Sequence, residues 1–256
     1  MNSRPAGDGP SRYLDPTNAH SFAHTAMTET EWLTDPNWSL VAACAEPHLS
    51  QRRARMLAVA LCRTRLPDFP DARFRSALDT IARFADGDAT RDELEMVRSW
   101  VREEAVKAND QFEPTYLDGA GFGSARNEFA WAVAFAAATP VSPTAVGVQA
   151  FRDSAEAFRA AVWDVAGNPF RPVEFDPRWR TETVLALARR MYETREFSAM
   201  PILADALMDA GCDDEQVLAH CRGNGRGDGG APVGGSPQLV PHVPGCWVLD
   251  GILGNI

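Results

Sequence analysis

Lysine is almost missing from this chain: Lys107 is the only one among 25 basic residues, and the other 24 are arginine. Such a skew reads as a bias toward GC-rich arginine codons rather than as selection for bidentate phosphate contacts. Positive charge is also scarce overall. With 25 basic against 35 acidic residues the chain carries a formal charge of −10, and that field repels phosphate backbones and anionic lipid. Nucleic acid and membrane surfaces are therefore excluded as expected partners. No apolar run approaches the ~20 residues needed to span a bilayer, and residues 1–26 lack the apolar centre of a signal peptide, so a cytoplasmic location is expected. Cysteine is sparse and odd in number, at Cys44, Cys62, Cys212, Cys221 and Cys246. Without an export signal, reduced thiols or metal ligands fit that set better than disulfides do. Period-two alternation is absent too, and no strand is predicted.

What remains is helical patterning. Residues 1–26 mix Pro, Gly, Asp, Ser and His without period and are expected to form a disordered tail, with Met27 an alternative translation start. Thr28 and Glu31 have capping-box spacing, and so do Thr90 and Glu93. Asp35 before Pro36, Ser50 and Asp71 each have the chemistry of a helix start. Behind these caps, Met56, Leu57, Ala60 and Leu61 form one apolar stripe; Phe74, Leu78 and Ile81 form another, and Leu94, Val97, Trp100 and Val101 a third. Arg52, Arg53, Arg55 and Arg63 lie beside the first stripe and read as a solvated helix face. The alanine-rich segment 124–138 is apolar on nearly all sides, which predicts a central helix, and a long helix is expected over 144–165. Gly119, Gly121 and Gly123 follow no strand and precede no Gly-Lys-Ser/Thr, so they read as a loop rather than a phosphate cradle. The seven tryptophans fall mostly on apolar faces and read as core.

The predicted fold class is therefore all-α: a compact array of about ten helices in antiparallel hairpins. A proline-rich extended connector at 168–179 interrupts it, because three prolines there each remove a backbone donor. Residues 27–256 are expected to form one domain, with a subdivision at 27–140 and 141–256 as an alternative. The Gly/Asn/Asp tract at 222–240 reads as a flexible insert.

Specific chemistry concentrates between Pro201 and Asn255, which holds three of the five cysteines and two of the five histidines. The candidate metal ligands are Cys212, His220, His242 and Cys246. Zinc takes four such donors in a tetrahedron, and His242 and Cys246 stand four residues apart, a spacing that can place both on one turn. His220 and Cys221 are adjacent and diverge on a helix, so at most one of them faces a shared ion. The competing reading makes the cysteines small buried apolar residues and leaves the histidines as loop hydrogen-bonders. A thiol nucleophile, Cys246 or Cys221 with His220 or His242 as base, is a further alternative for which no orienting third group is evident. Asp205, Asp209 and Asp213 read as a solvated face plus a helix cap.

The segments Asn168-Pro-Phe-Arg-Pro-Val, Asp176-Pro-Arg-Trp, Met200-Pro-Ile-Leu-Ala-Asp-Ala-Leu, Ala210-Gly-Cys-Asp-Asp, Leu218-Ala-His-Cys-Arg-Gly and Pro241-His-Val-Pro-Gly-Cys-Trp-Val-Leu-Asp resemble a family of bacterial proteins without an established activity, common in planctomycetes. The resemblance covers roughly 27–109 and 166–256. It implies that 224–240 is an insertion and, since some relatives have leucine in place of Cys221, that this residue is not an essential ligand. The Leu-Ala-Asp-Ala-Leu and Ala-Gly-Cys-Asp-Asp run is similar to a short helical module found beside other domains, which implies an adaptor. The resulting expectation is a helical interaction or scaffolding module with a protein partner and no obligate cofactor. The alternative is a metal- or thiol-dependent enzyme with its Cys/His site in the C-terminal region, zinc being the candidate ion.

Overall fold

The computed structural model describes residues 27–35, 37–69, 71–110, 125–143, 145–146, 155–223 and 242–255. The expected N-terminal tail, the Gly119–Gly123 loop, most of the 144–165 helix's first half and the Gly/Asn/Asp tract from 224 onward lie outside these. Among the described residues there are eleven α-helices and no strand, as the missing alternation predicts. They are α1 (Glu29–Thr34), α2 (Trp38–Ala45), α3 (Gln51–Thr64), α4 (Ala72–Asp86), α5 (Arg91–Asp110), α6 (Ala125–Ala136), α7 (Ala155–Ala166), α8 (Glu182–Thr194), α9 (Met200–Asp209), α10 (Glu215–Cys221) and α11 (Trp247–Leu253).

The caps fall where the sequence places them except at Asp35, which ends α1 with its amide on the Glu31 carbonyl while α2 begins only at Trp38. Thr28 and Glu31 close a reciprocal capping box at α1, and Thr90 with Glu93 does the same before α5. Ser50, Asp71, Thr181 and Asp214 accept amides of the first turns of α3, α4, α8 and α10. Gly87 ends α4 at φ 85°, a left-handed backbone that a side chain would strain.

The apolar stripes then pack in two clusters. The first runs from Trp32 to Val165 and is centred on α3, which lies against α4, α6 and α7. Met56, Leu57, Leu61, Phe74, Leu78, Ile81 and Phe129 are fully buried in it, each stabilising by about 1.5–3 kcal/mol relative to exposure. The second runs from Trp179 to Ile252 and is built from α8, α9, α10 and α11. The dividing line is the non-helical segment 167–176. Ala137, Val141 and Val146 all belong to the first cluster. Of the seven tryptophans, Trp32, Trp100, Trp131, Trp163, Trp179 and Trp247 pack into or against these clusters, and the Trp38 side chain lies outside the description.

Of the arginines beside the first stripe, Arg63 pairs with Asp79 at the surface, but Arg52, Arg53 and Arg55 are not a solvated face. Arg55 is 3% exposed and donates to the Ala136 carbonyl and the Thr139 hydroxyl. Arg52 bonds Asp86 and Asp250 at 2.8 and 2.7 Å and also meets the Tyr192 hydroxyl. Arg53 donates to the Val165 carbonyl. Helical periodicity places these residues beside the apolar stripe, but it cannot show that Asp250, some 200 positions away, brings a carboxylate to meet them. The result is a charged seam joining α3 and α4 of the first cluster to α8 and α11 of the second.

Candidate metal centre

The same seam carries a second polar cluster. Asp164 sits in the last turn of α7, His220 in the last turn of α10, His242 in the segment before α11, and Cys246 at the N-cap of α11. One donor atom from each lies within 4.8 Å of every other. Three short stretches, distant from one another in sequence, thus meet at the join between the two apolar clusters.

Local structure explains each placement. Gly245, at φ 95°, turns the chain so tightly against α3 that a β-carbon there would lie 2.7 Å from Met56 Cβ. That turn fixes His242 and Cys246 on the same side. The Val243 amide is tied to Asp164 Oδ2 at 2.9 Å, while Asp164 Oδ1 accepts from His242 Nδ1 at 2.6 Å. Asp164 Oδ1 also lies 3.4 Å from His220 Nε2, and His220 Nε2 lies 3.0 Å from Cys246 Sγ. The two imidazoles stand edge to face, 4.8 Å between centroids. On the far side of His220 the indole of Trp247 donates to Nδ1 at 3.1 Å. That indole is itself held: it lies on the Gly167 backbone, and Phe175 packs against it edge-on at 5.9 Å.

Burial sets the protonation of the cluster. Cys246 is 0% exposed, His220 8% and Asp164 4%. Desolvation lowers the His220 pKa to about 4, against the opposing pull of Asp164, so the ring is neutral at pH 7. Accepting from Trp247 at Nδ1, a neutral His220 carries its proton on Nε2 and points it at Cys246 Sγ and Asp164 Oδ1. Burial, reinforced by Asp164, raises the Cys246 thiol well above its ordinary range, and the Val248 and Leu249 amides do not offset this. Cys246 is therefore a thiol here, not an activated thiolate.

A tetrahedral zinc site has donor-to-donor edges of roughly 3.3–3.7 Å when metal–donor distances are about 2.0–2.3 Å. Of the separations here, 3.4 Å falls in that range, whereas 2.6 and 3.0 Å are hydrogen-bond lengths shorter than it, so the donors would spread to take an ion; one carboxylate, two imidazoles and one thiol are a donor set that zinc accepts.

Three of the four ligands read from the sequence, His220, His242 and Cys246, are thus brought together, and Cys212 is not. It is buried in the second apolar cluster beyond the start of α10, and the six residues from Asp214 to His220 rise by about 9 Å along that helix. Cys221 is 1% exposed in the same cluster, and burial pushes its thiol up to about 12. Asp205, Asp209 and Asp213 are exposed, and Asp214 caps α10.

Asp164 takes the place that Cys212 was expected to fill. Its signal in the sequence is a carboxylate in the final turn of an otherwise apolar helix segment, Ala160-Ala-Val-Trp-Asp-Val-Ala. Comparison of the chain with protein-family models, with curated proteins and with solved structures returns no match, so the chemistry of the site rests on its own geometry.

Proposed function

We propose that the chain is a helical scaffolding module whose two apolar clusters are fastened together by a structural zinc ion held by Asp164, His220, His242 and Cys246, and that it acts by presenting a surface to a protein partner. The observation that carries this reading is the convergence of four donors, from three separate stretches, on one buried point of the seam. A closed set of four protein ligands leaves no position for a substrate or an activated water, which is the mark of structural rather than catalytic zinc. The thiol-enzyme alternative has no accessible nucleophile, because Cys246 is 0% exposed and burial holds it protonated. The partner side is supported by α5, whose outer face exposes Met96 at 66% beside Trp100 and frames both with Asp92, Glu95 and Glu103.

Elemental analysis of tag-free protein, with cobalt substitution to read thiolate ligation optically, tests the metal. The expected result is close to one ion per chain, with the cobalt–thiolate band abolished by Cys246→Ser and retained in Cys212→Ser. Folded protein that takes up no zinc or cobalt overturns the reading. Cross-linking in the native cytoplasm tests the partner: a Met96→Glu variant should lose the captured protein, and capture unchanged by that variant rules out this face.

A further inference from the structure

The hydrogen bond from Trp247 to His220 conflicts with metal binding at that ring. A neutral imidazole that ligates through Nε2 carries its proton on Nδ1 and normally donates it to a carboxylate, carbonyl or water. Here Nδ1 faces another donor, the Trp247 indole N–H at 3.1 Å, so a ligating neutral His220 would set two N–H groups against each other. Removing the second imidazole proton would relieve the clash, but that proton is a far weaker acid than the first. The remaining course is for the indole to turn. Trp247 also lines a cleft with Trp163, Asn168 and Gln216, where the side-chain carbonyl of Gln216 offers an acceptor for the N–H, that of Asn168 already accepting from the Phe170 amide.

We infer that Trp247 is a positioning residue that restrains metal loading: its indole holds His220 in the tautomer that bonds Cys246 and Asp164, and ion entry requires the indole to release Nδ1 and turn toward the Asn168/Gln216 cleft. This rests on the zinc reading above and adds a regulation to it. The restraint is built in by the packing, since Gly167 and Phe175 hold the ring against His220.

The test is a zinc titration of the full-length, tag-free chain against a competing chelator, wild type beside Trp247→Phe. Phenylalanine keeps an aromatic ring in the packed position and removes the donor. The variant should bind zinc about tenfold more tightly, a change of the size that partners of metal-bound histidines produce. A second measurement reads the wild-type protein itself. In the 15N-indole spectrum of wild-type protein, the Trp247 resonance, assigned by its loss in the variant, should shift on zinc saturation. Equal or weaker zinc binding by Trp247→Phe, or an indole resonance unmoved by saturating zinc, overturns the inference about Trp247 and leaves the zinc site standing. Failure of both proteins to bind zinc overturns both.

Discussion

Replacing Asp164 by asparagine separates the carboxylate's two roles, as a hydrogen-bond acceptor and as a metal ligand. Asp164 accepts from His242 Nδ1 and from the Val243 amide, at 2.6 and 2.9 Å. An asparagine in the same rotamer keeps its carbonyl toward the Val243 amide and turns its NH2 toward His242. His242 has a remedy: with its proton moved to Nε2, Nδ1 becomes an acceptor and the contact survives as a neutral bond. The loss is then the difference between charge-assisted and neutral bonds, about 1–2 kcal/mol in total. For a chain of this size that lowers the melting temperature by roughly 2–8 °C.

Metal binding responds differently, because an amide is a poor zinc ligand and one of four donors is lost. Zinc at one hundred times its dissociation constant stabilises the wild type by about 2.7 kcal/mol, a rise of roughly 5–11 °C. The assay is paired thermal unfolding of both proteins, in chelator and in excess zinc. The expected pattern is a modest drop for Asp164→Asn in chelator and no zinc-induced rise. A zinc-induced rise equal to that of the wild type would refute the assignment of Asp164 as a ligand. A collapse of the variant in chelator would refute the tautomer argument for His242.

Other substitutions test the placement of the site. Gly245→Ala forces a side chain into a left-handed backbone and against Met56 Cβ; together these should cost about 2–4 kcal/mol by chemical denaturation, with zinc affinity falling as well because the turn carries both His242 and Cys246. Asp250→Ala leaves Arg52 and Arg53 in the seam without their shared carboxylate and should cost about 3 kcal/mol; a neutral result in urea unfolding would mean that the arginines find other partners. Alkylation followed by mass spectrometry at neutral pH should modify Cys44 first, since the other four cysteines are buried. Fast modification of Cys246 in native protein would revive the thiol-nucleophile reading.

The helices were legible because each has a local cause: a cap side chain, an apolar repeat of three or four residues, or a terminating glycine. Thr28 with Glu31 and Thr90 with Glu93 needed nothing beyond four consecutive residues. The histidines and Cys246 were legible for a different reason, that metal-ligating side chains are scarce in this chain and crowd its C-terminal end. Asp164 was not legible. Carboxylates are common, and only burial distinguishes this one from the exposed Asp205 and Asp209. Cys212 misled for the converse reason: its chemistry suits zinc, but a helix lies between it and His220. Arg52 and Arg53 of α3 were misread because their partner, Asp250, is brought to them only by the packing of α11.

Both long-range polar clusters lie on one seam, and α11 belongs to both. Its N-cap residue, Cys246, faces Asp164 and His220, and one turn further on Asp250 meets Arg52 and Arg53. Apolar packing alone is non-directional and would let the second cluster slide over the first. Two polar contacts at fixed separation along one short helix remove that freedom, because satisfying both admits a single register. The charged pair is made by side chains already in place, whereas the zinc set must first lose the Cys246 proton and move the imidazole protons off the ligating nitrogens of His220 and His242. In this scheme the arginine–aspartate seam docks α11 and the metal then locks it, so loss of Asp250 should weaken zinc binding although no atom of Asp250 touches the ion.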